Sequence, residues 1–340
     1  MSRFAKIPAT VITGFLGAGK TTLVRHLLSQ AEGRRIALIV NEFGDVGVDG
    51  DLLASCGVAG CREDDIIELA NGCLCCTVAD EFLPTMEKLL ARAEPPQHIL
   101  IETSGLALPK PLVKAFDWPD IRSRVTVDGV VAVVDGPALA AGRFTSSPED
   151  KARPDHDNPL EEVFEDQLAC ADLVLLNKSD LLDEAALAAL DARLKGSLRP
   201  GVKLVHSRHG AVDARLLLGL DAAAEDDLAA RPSHHDAAGA HDHDDFESFA
   251  VTIPEQADPA RLAEALRDII VRHDILRLKG FLAVRGKAMR HVVQAVGARV
   301  QGYYDRPWKA AEPRAGQLVV IGLKGLDRAA IAEAITRAAA

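Results

Sequence analysis

The chain has 340 residues, 48% of them apolar and 26% charged, with a formal net charge of −11. That length suits a nucleotide-binding domain of about 200 residues plus a smaller module, and the acidic balance argues against nucleic acid as a partner, which would require a basic face. No apolar run approaches the roughly 20 residues of a membrane helix, so no membrane partner is expected.

The first segment, 7–13 (IPATVIT), reads as a buried strand, and 19–30 as the helix that follows it. Arg3 and Lys6 ahead of an apolar stretch imitate a secretion signal. A glycine-rich turn begins inside that stretch, however, and cleavage there would destroy it, so the expected location is cytoplasmic. Six cysteines in a cytoplasmic chain point to metal or redox chemistry rather than disulfides.

The turn itself is Gly14-Phe-Leu-Gly17-Ala18-Gly19-Lys20-Thr21, a full match to G-x-x-x-x-G-K-[ST] between a strand and a helix. Gly14, Gly17 and Gly19 let the backbone wrap a phosphate with N–H groups turned inward. The helix N-terminus adds a favourable dipole, Lys20 reaches the β- and γ-phosphates, and the Thr21 hydroxyl ligates Mg²⁺.

A second strand is expected in 34–44, ending in NEFGD (41–45). Glu42, Asp45 and Asp49 are candidates for a switch segment near Mg²⁺ and the γ-phosphate. Cys73-Leu-Cys75-Cys76 follows, and Thr77 opens an expected helix over 77–92. A helix N-terminus favours thiolate, the form that binds metal. Adjacent residues of an extended backbone point to opposite sides, so an extended Cys73–Cys75 stretch is expected to let these two thiols converge on one ion, with Cys76 joining only if the chain turns. A redox dithiol, plain buried thiols and a permanent structural zinc site are the readings that compete with a transient metal site. Cys56 and Cys61 either assist or are free thiols, and Cys170 reads as core.

The strand at 97–105 (QHILIETSG) places Glu102 at its end. The more usual residue here is Asp, which helps hold Mg²⁺; Glu is one carbon longer. A strand at 128–136 and a helix at 160–170 lead to the strand 171–180 and Asn177-Lys178-Ser-Asp180. This N-K-x-D pattern suits guanine, whose N1–H and 2-amino group both donate to a carboxylate. A helix at 183–195 and a strand at 202–207 follow, with Ser207 either supplying a backbone N–H to the guanine O6 or lying in an ordinary loop. Strands alternating with helices imply a mostly parallel α/β sheet whose carboxyl edge carries the ligand site. That is a P-loop NTPase fold over 1–220.

Residues 221–247 are rich in Ala, Asp and His and read as a linker. Its His234, His235, His241 and His243 either bind divalent ions loosely or lie in a solvated tract. Over 248–340 the strand and helix signals crowd together, as in a small C-terminal α+β domain.

The set GFLGAGKTT, NEFGDVGVD, NGCLCC, ETSG and NKSD, with the C-terminal module, resembles the CobW family of P-loop GTPases, GTP-dependent metallochaperones, along nearly the whole chain. The resemblance implies that Gly17, Ala18, Gly19, Lys20, Thr21 and Thr22 hold phosphate, and that Asn177, Lys178 and Asp180 read guanine. It also implies that Cys73, Cys75 and Cys76, the family's C-x-C-C motif, bind the cargo metal as thiolates. Lys20, Thr21 and Glu102 are the expected catalytic residues, and Thr21 and Glu42 are expected near metal. Co²⁺ is the expected cargo, with the aerobic cobaltochelatase as the receiving enzyme, and Zn²⁺ is the alternative. A P-loop metabolite kinase and a redox-sensing GTPase are the rivals from other classes. No Gln or Arg finger is assignable, so slow intrinsic turnover is expected.

Overall fold

The computed structural model describes residues 6–31, 33–41, 66–69, 82–144, 159–233, 246–308 and 312–339. They fall in two compact units, one ending and the other beginning within the 221–247 tract.

The first unit starts with β1 (Ile7–Thr13), α1 (Lys20–Ser29), β2 (Ile36–Asn41) and β3 (Ile66–Leu69). Then come α2 (Leu83–Leu90), β4 (His98–Glu102), α3 (Pro109–Ala115), α4 (Pro119–Arg122) and β5 (Val125–Asp135). It continues with α5 (Gly136–Ala140), α6 (Pro159–Cys170), β6 (Leu173–Asn177), α7 (Glu184–Ser197) and β7 (Lys203–His206). The seven strands form one parallel sheet in the order β3-β2-β4-β1-β5-β6-β7. Strands such as IALIVN and HILIE are apolar almost throughout because they are buried on both faces. On one face Phe82, Met86 and Leu89 near α2 and Leu112 and Val113 of α3 pack against Val11, Ile39 and Ile101. Glu102 alternates with Ile101 and bonds to α1, so α1 covers the other face. Six strands are expected from sequence in this unit; β3 is the seventh.

The first described part of the 221–247 tract, 221–233, packs against the amino-terminal ends of β5 and β6. Glu225 accepts from Thr126 Oγ1 at 2.7 Å and from Val127 N at 2.9 Å. Arg231, 1% exposed, donates to Asp172 Oδ1 at 2.6 Å and to Cys170 O. Asp128 anchors the approach by accepting from Gly219 N and Asp221 N. An Ala/Asp-rich composition conceals this, because two buried charged residues do the docking.

The second unit comprises β8 (Phe246–Ile253), α8 (Pro259–Arg272), β9 (Arg277–Leu282), β10 (Met289–Val296), β11 (Arg299–Pro307), β12 (Gly316–Leu323) and α9 (Arg328–Ala338). Its five-stranded sheet is antiparallel throughout, in the order β11-β10-β9-β12-β8. The stretch 289–305 is a hairpin of two strands closed by Gly297 and Ala298, with Gly297 at φ 52. Leu262, Leu266, Ile269 and Ile270 recur on one face of α8 and meet Leu318, Val320, Ile331 and Ile335. This is the expected C-terminal α+β module. Among the described residues no helix is long and apolar enough to cross a membrane.

Candidate nucleotide site

The sheet order changes direction around β1, which has β4 on one side and β5 on the other. The carboxyl ends of parallel strands at such a point form a crevice. The glycine-rich loop leaves β1 into this crevice. Gly14, Gly17 and Gly19 have φ of 136, 71 and 107, a region closed to most side chains. At Gly19 space is also lacking, since a Cβ there would lie 2.3 Å from Asn177 Nδ2. Gly19 caps α1, whose first turn presents Lys20, Thr21 and Thr22.

Lys20 is 5% exposed, and its Nζ donates to Gly14 O at 2.7 Å and Phe15 O at 3.2 Å. The ammonium therefore lies within the curve of the loop, where phosphate oxygens would compete with those carbonyls. Thr21 Oγ1 donates to Glu102 Oε1 at 2.8 Å. A hydroxyl and a carboxylate side by side are oxygen ligands of the kind a hard cation such as Mg²⁺ takes, so these residues fit that ion. Glu102 reaches α1 directly, and its extra carbon spans the gap.

The E-T-S-G turn after β4 is built into the loop. Thr103 N donates to Ile12 O, and Thr103 Oγ1 to Thr13 Oγ1 at 3.1 Å. A Cβ on Gly105 would lie 2.8 Å from Leu16 N, so the two backbones touch here. From α6, Gln167 Nε2 donates to Gly105 O and Ala107 O, bracing the turn from behind.

The N-K-x-D segment follows β6. Asn177 Nδ2 donates to Ala18 O at 2.8 Å, while its Oδ1 accepts from Ser207 Oγ at 2.9 Å and Gly210 N at 3.1 Å. Lys178 Nζ donates to Gly17 O at 2.7 Å and to Asp135 Oδ2 at 2.6 Å. Asp180 lines a cavity of about 600 Å³ together with Ser179, Leu187, Ser207 and Arg208. The expected use of the Ser207 N–H does not hold, because it extends the β6–β7 ladder by donating to Leu176 O at 2.9 Å. Ser207 instead orients Asn177.

Gly14, Gly17, Ala18, Gly19, Lys20, Thr21, Thr22, Glu102, Asn177, Lys178 and Asp180 thus gather at one sheet edge. Asp135, Gln167 and Gly210 belong with them and have no motif spacing to reveal them. The signal that could have found Asp135 is its place at a parallel strand's carboxyl end. Cys170 is core as expected: it is 1% exposed, and burial pushes its thiol up to about 11.

Glu42, Asp45, Asp49, Cys56, Cys61, Cys73, Cys75, Cys76 and the linker histidines lie outside the described residues. Among the described residues no group of three or more His, Cys, Asp or Glu side chains assembles as a metal set. The strands that lead toward the first and third of those segments are described: Asn41 and Leu69, the last residues of β2 and β3, are register partners. Asn41 is 4% exposed, and its Nδ2 has no hydrogen-bond partner among the described residues.

Comparison with known proteins agrees with this architecture. The family model of the CobW/HypB/UreG nucleotide-binding domain matches residues 8–206, and that of the cobalamin synthesis protein cobW C-terminal domain matches 246–339. The chain is 56% identical to the zinc chaperone CobW of Sinorhizobium sp, over 97% of each chain. It is 55% identical to the zinc chaperone CobW of Pseudomonas aeruginosa, over 100% of this chain and 93% of that one. It is 30% identical to the zinc chaperone YjiA of Escherichia coli, over 94% of each. A P-loop closed by an N-K-x-D segment, a separate antiparallel C-terminal unit and similarity along nearly the whole length agree that the chain belongs to the CobW family of P-loop GTPases.

Proposed function

We propose that this GTPase is a metallochaperone in which Mg²⁺–GTP completes a thiolate site for a transition-metal cargo and hydrolysis releases that cargo to a receiving enzyme. In this reading Lys20 and the backbone of 14–19 hold the β- and γ-phosphates. Thr21 and Glu102 would hold Mg²⁺, which neutralises phosphate charge when bound. Asp180 accepts from the guanine N1–H and 2-amino group. The O6 draws its donor from the backbone beyond Ser207, whose own N–H is spent on Leu176 O. Cys73, Cys75 and Cys76, with Glu42, form the cargo site.

The observation that carries this reading is the pairing of Asn41 with Leu69 in the same parallel sheet as the P-loop strand. The chain enters the Glu42 segment and the C-x-C-C segment from adjacent strand ends on the edge that holds the phosphate loop. The E-T-S-G turn next to β2 touches the loop at Leu16, so one edge offers a route by which a γ-phosphate can bias both segments. The coupling is reciprocal: if GTP tightens metal binding, metal tightens GTP binding equally.

Zn²⁺ is the first cargo to test, because three relatives are named zinc chaperones. Co²⁺ is the second reading, favoured by the match to the cobalamin synthesis protein cobW C-terminal domain. Its receiving enzyme would be the aerobic cobaltochelatase. Thiolates bind Zn²⁺ at least as well as Co²⁺, so affinity alone does not choose between them. The reading places the protein in the cytoplasm, where free thiols persist. Competition between buffered Zn²⁺ and Co²⁺ on the Mg²⁺–GTP form tests the cargo. Retention of Co²⁺ at cellular free-metal levels supports cobalt delivery, and its full displacement supports zinc.

A further inference from the structure

Asp135 ends β5 in register with Asn177, the last residue of β6. It is 1% exposed, and its two oxygens have separate tasks. Oδ1 accepts from Ala138 N at 3.0 Å and caps α5. Oδ2 accepts from Lys178 Nζ at 2.6 Å, and the same ammonium donates to Gly17 O at 2.7 Å. Lys178 has a left-handed backbone, φ 60 and ψ 31, which residues other than Gly, Asn and Asp enter only at a cost. This bend starts the short turn Ser179–Leu181 and brings Asp180 to the wall of the cavity.

We propose that Asp135 is a positioning residue for guanine recognition: by holding the Lys178 ammonium against Gly17 O, it fixes the left-handed turn from which Asp180 meets the base. This rests on the guanine reading of the site. A lysine head without a counter-charge is drawn toward water, and the turn would then lose its anchor on the phosphate loop. Asp135 thereby ties base recognition to phosphate binding through one side chain.

The alternative is that Asp135 only caps α5. Asp135→Asn separates the two roles, because Asn caps as well as Asp but removes the charge facing Lys178. The test measures affinities of the full chain for GTP, ITP and ATP, with thermal midpoints recorded in parallel. ITP lacks the 2-amino group that Asp180 would accept from, so the GTP-to-ITP ratio reports the Asp180 contact. Wild type is expected to prefer GTP to both. Asp135→Asn is expected to lose roughly tenfold or more in GTP affinity, the scale of a hydrogen bond to a charged group, with a smaller GTP-to-ITP ratio and little change in midpoint. Asp135→Glu should recover part of the loss. Lys178→Met should reproduce it, and the double variant should be no worse than Lys178→Met alone.

A wild-type affinity and ratio in Asp135→Asn, or losses that multiply in the double variant, would overturn the proposal. If Asp135→Asn does not fold, Lys178→Met decides, and an unchanged GTP-to-ITP ratio there overturns it. A wild-type protein with no preference for GTP over ATP would remove the guanine reading itself, and the proposal with it.

Discussion

The Thr21 hydroxyl lies 2.8 Å from Glu102 Oε1, linking the first turn of the helix after the phosphate loop to the end of the neighbouring strand. In register terms Glu102 sits opposite Ile12 on β1 and Val40 on β2, so it belongs to both halves of the sheet edge. Thr21→Ala removes this hydroxyl, and GTP turnover is expected to fall about 10²-fold, the scale of losing one preorganised group where charge develops. Thr21→Ser should restore most of it. Glu102→Gln keeps the hydrogen bond but removes the charge, so it should raise the Mg²⁺ concentration needed for half-maximal turnover. Steady-state hydrolysis against Mg²⁺ checks all three.

Gly105 has no room for a side chain. A Cβ would approach Leu16 N at 2.8 Å and Leu16 Cα at 2.9 Å, both backbone atoms that cannot rotate away. Gly105→Ala should cost about 1–3 kcal/mol of stability, as overpacking does, and should weaken GTP binding because the phosphate loop must shift. Chemical denaturation and nucleotide titration of one preparation give both numbers.

Arg231 anchors a tract that composition alone assigns to a linker. Its side chain is 1% exposed and paired with Asp172, which Arg199 also approaches at 3.5 Å. Arg231→Ala leaves Asp172, in a poorly solvated site, with the Val130 N–H at 2.9 Å and only the more distant Arg199 as counter-charge. The expected cost is about 3 kcal/mol, the low end for breaking a buried pair. Replacing exposed Arg208 instead should leave stability within about 0.5 kcal/mol. Urea unfolding of the two variants provides the comparison.

His98 gives the protein an acid limit. It is 5% exposed, and its Nε2 is 2.8 Å from Thr10 Oγ1, whose hydroxyl donates to Asp128 Oδ2 at 3.3 Å. The Thr10 oxygen therefore accepts from a neutral ring carrying its proton on Nε2. Burial lowers the His98 pKa to about 4; Asp128 opposes the shift and Arg34 adds to it. Because the folded pKa lies below the unfolded value of 6.5, the unfolded chain binds the extra proton as pH falls. This contribution is intact above pH 6.5 and is lost progressively toward pH 4, by ~3 kcal/mol in all. His98→Gln should flatten the fall of unfolding free energy over that window, and a series of denaturation midpoints against pH would show it.

The parts of the fold legible in the sequence are those where local chemistry leaves one choice. IALIVN and HILIE are too apolar for anything but a covered strand, and Gly19-Lys20-Thr21 between a strand and a helix has one common use. Asn177 and Asp180 are found by their spacing. What sequence hides depends on partners distant along the chain. β3 is only four residues, IIEL, and becomes a strand by pairing with β2. The Ser207 N–H is spent on Leu176 O, a fact set by the β6–β7 register and not by VHSRHG itself. Asp135 looks like any strand-end acid until Lys178, 43 residues later, returns to it.

The central claim is that the nucleotide state sets the affinity of the thiolates for metal. The direct measurement is Zn²⁺ and Co²⁺ titration of the Mg²⁺–GTP and Mg²⁺–GDP forms, followed by competition with a chelator and, for Co²⁺, by thiolate-to-metal absorption. A Cys73→Ala/Cys75→Ala/Cys76→Ala variant serves as the reference. The account predicts at least fivefold tighter binding with GTP, the lower range of allosteric coupling, and loss of that difference in the variant. Equal affinity in the two nucleotide forms, or an unchanged difference without the three cysteines, would contradict it.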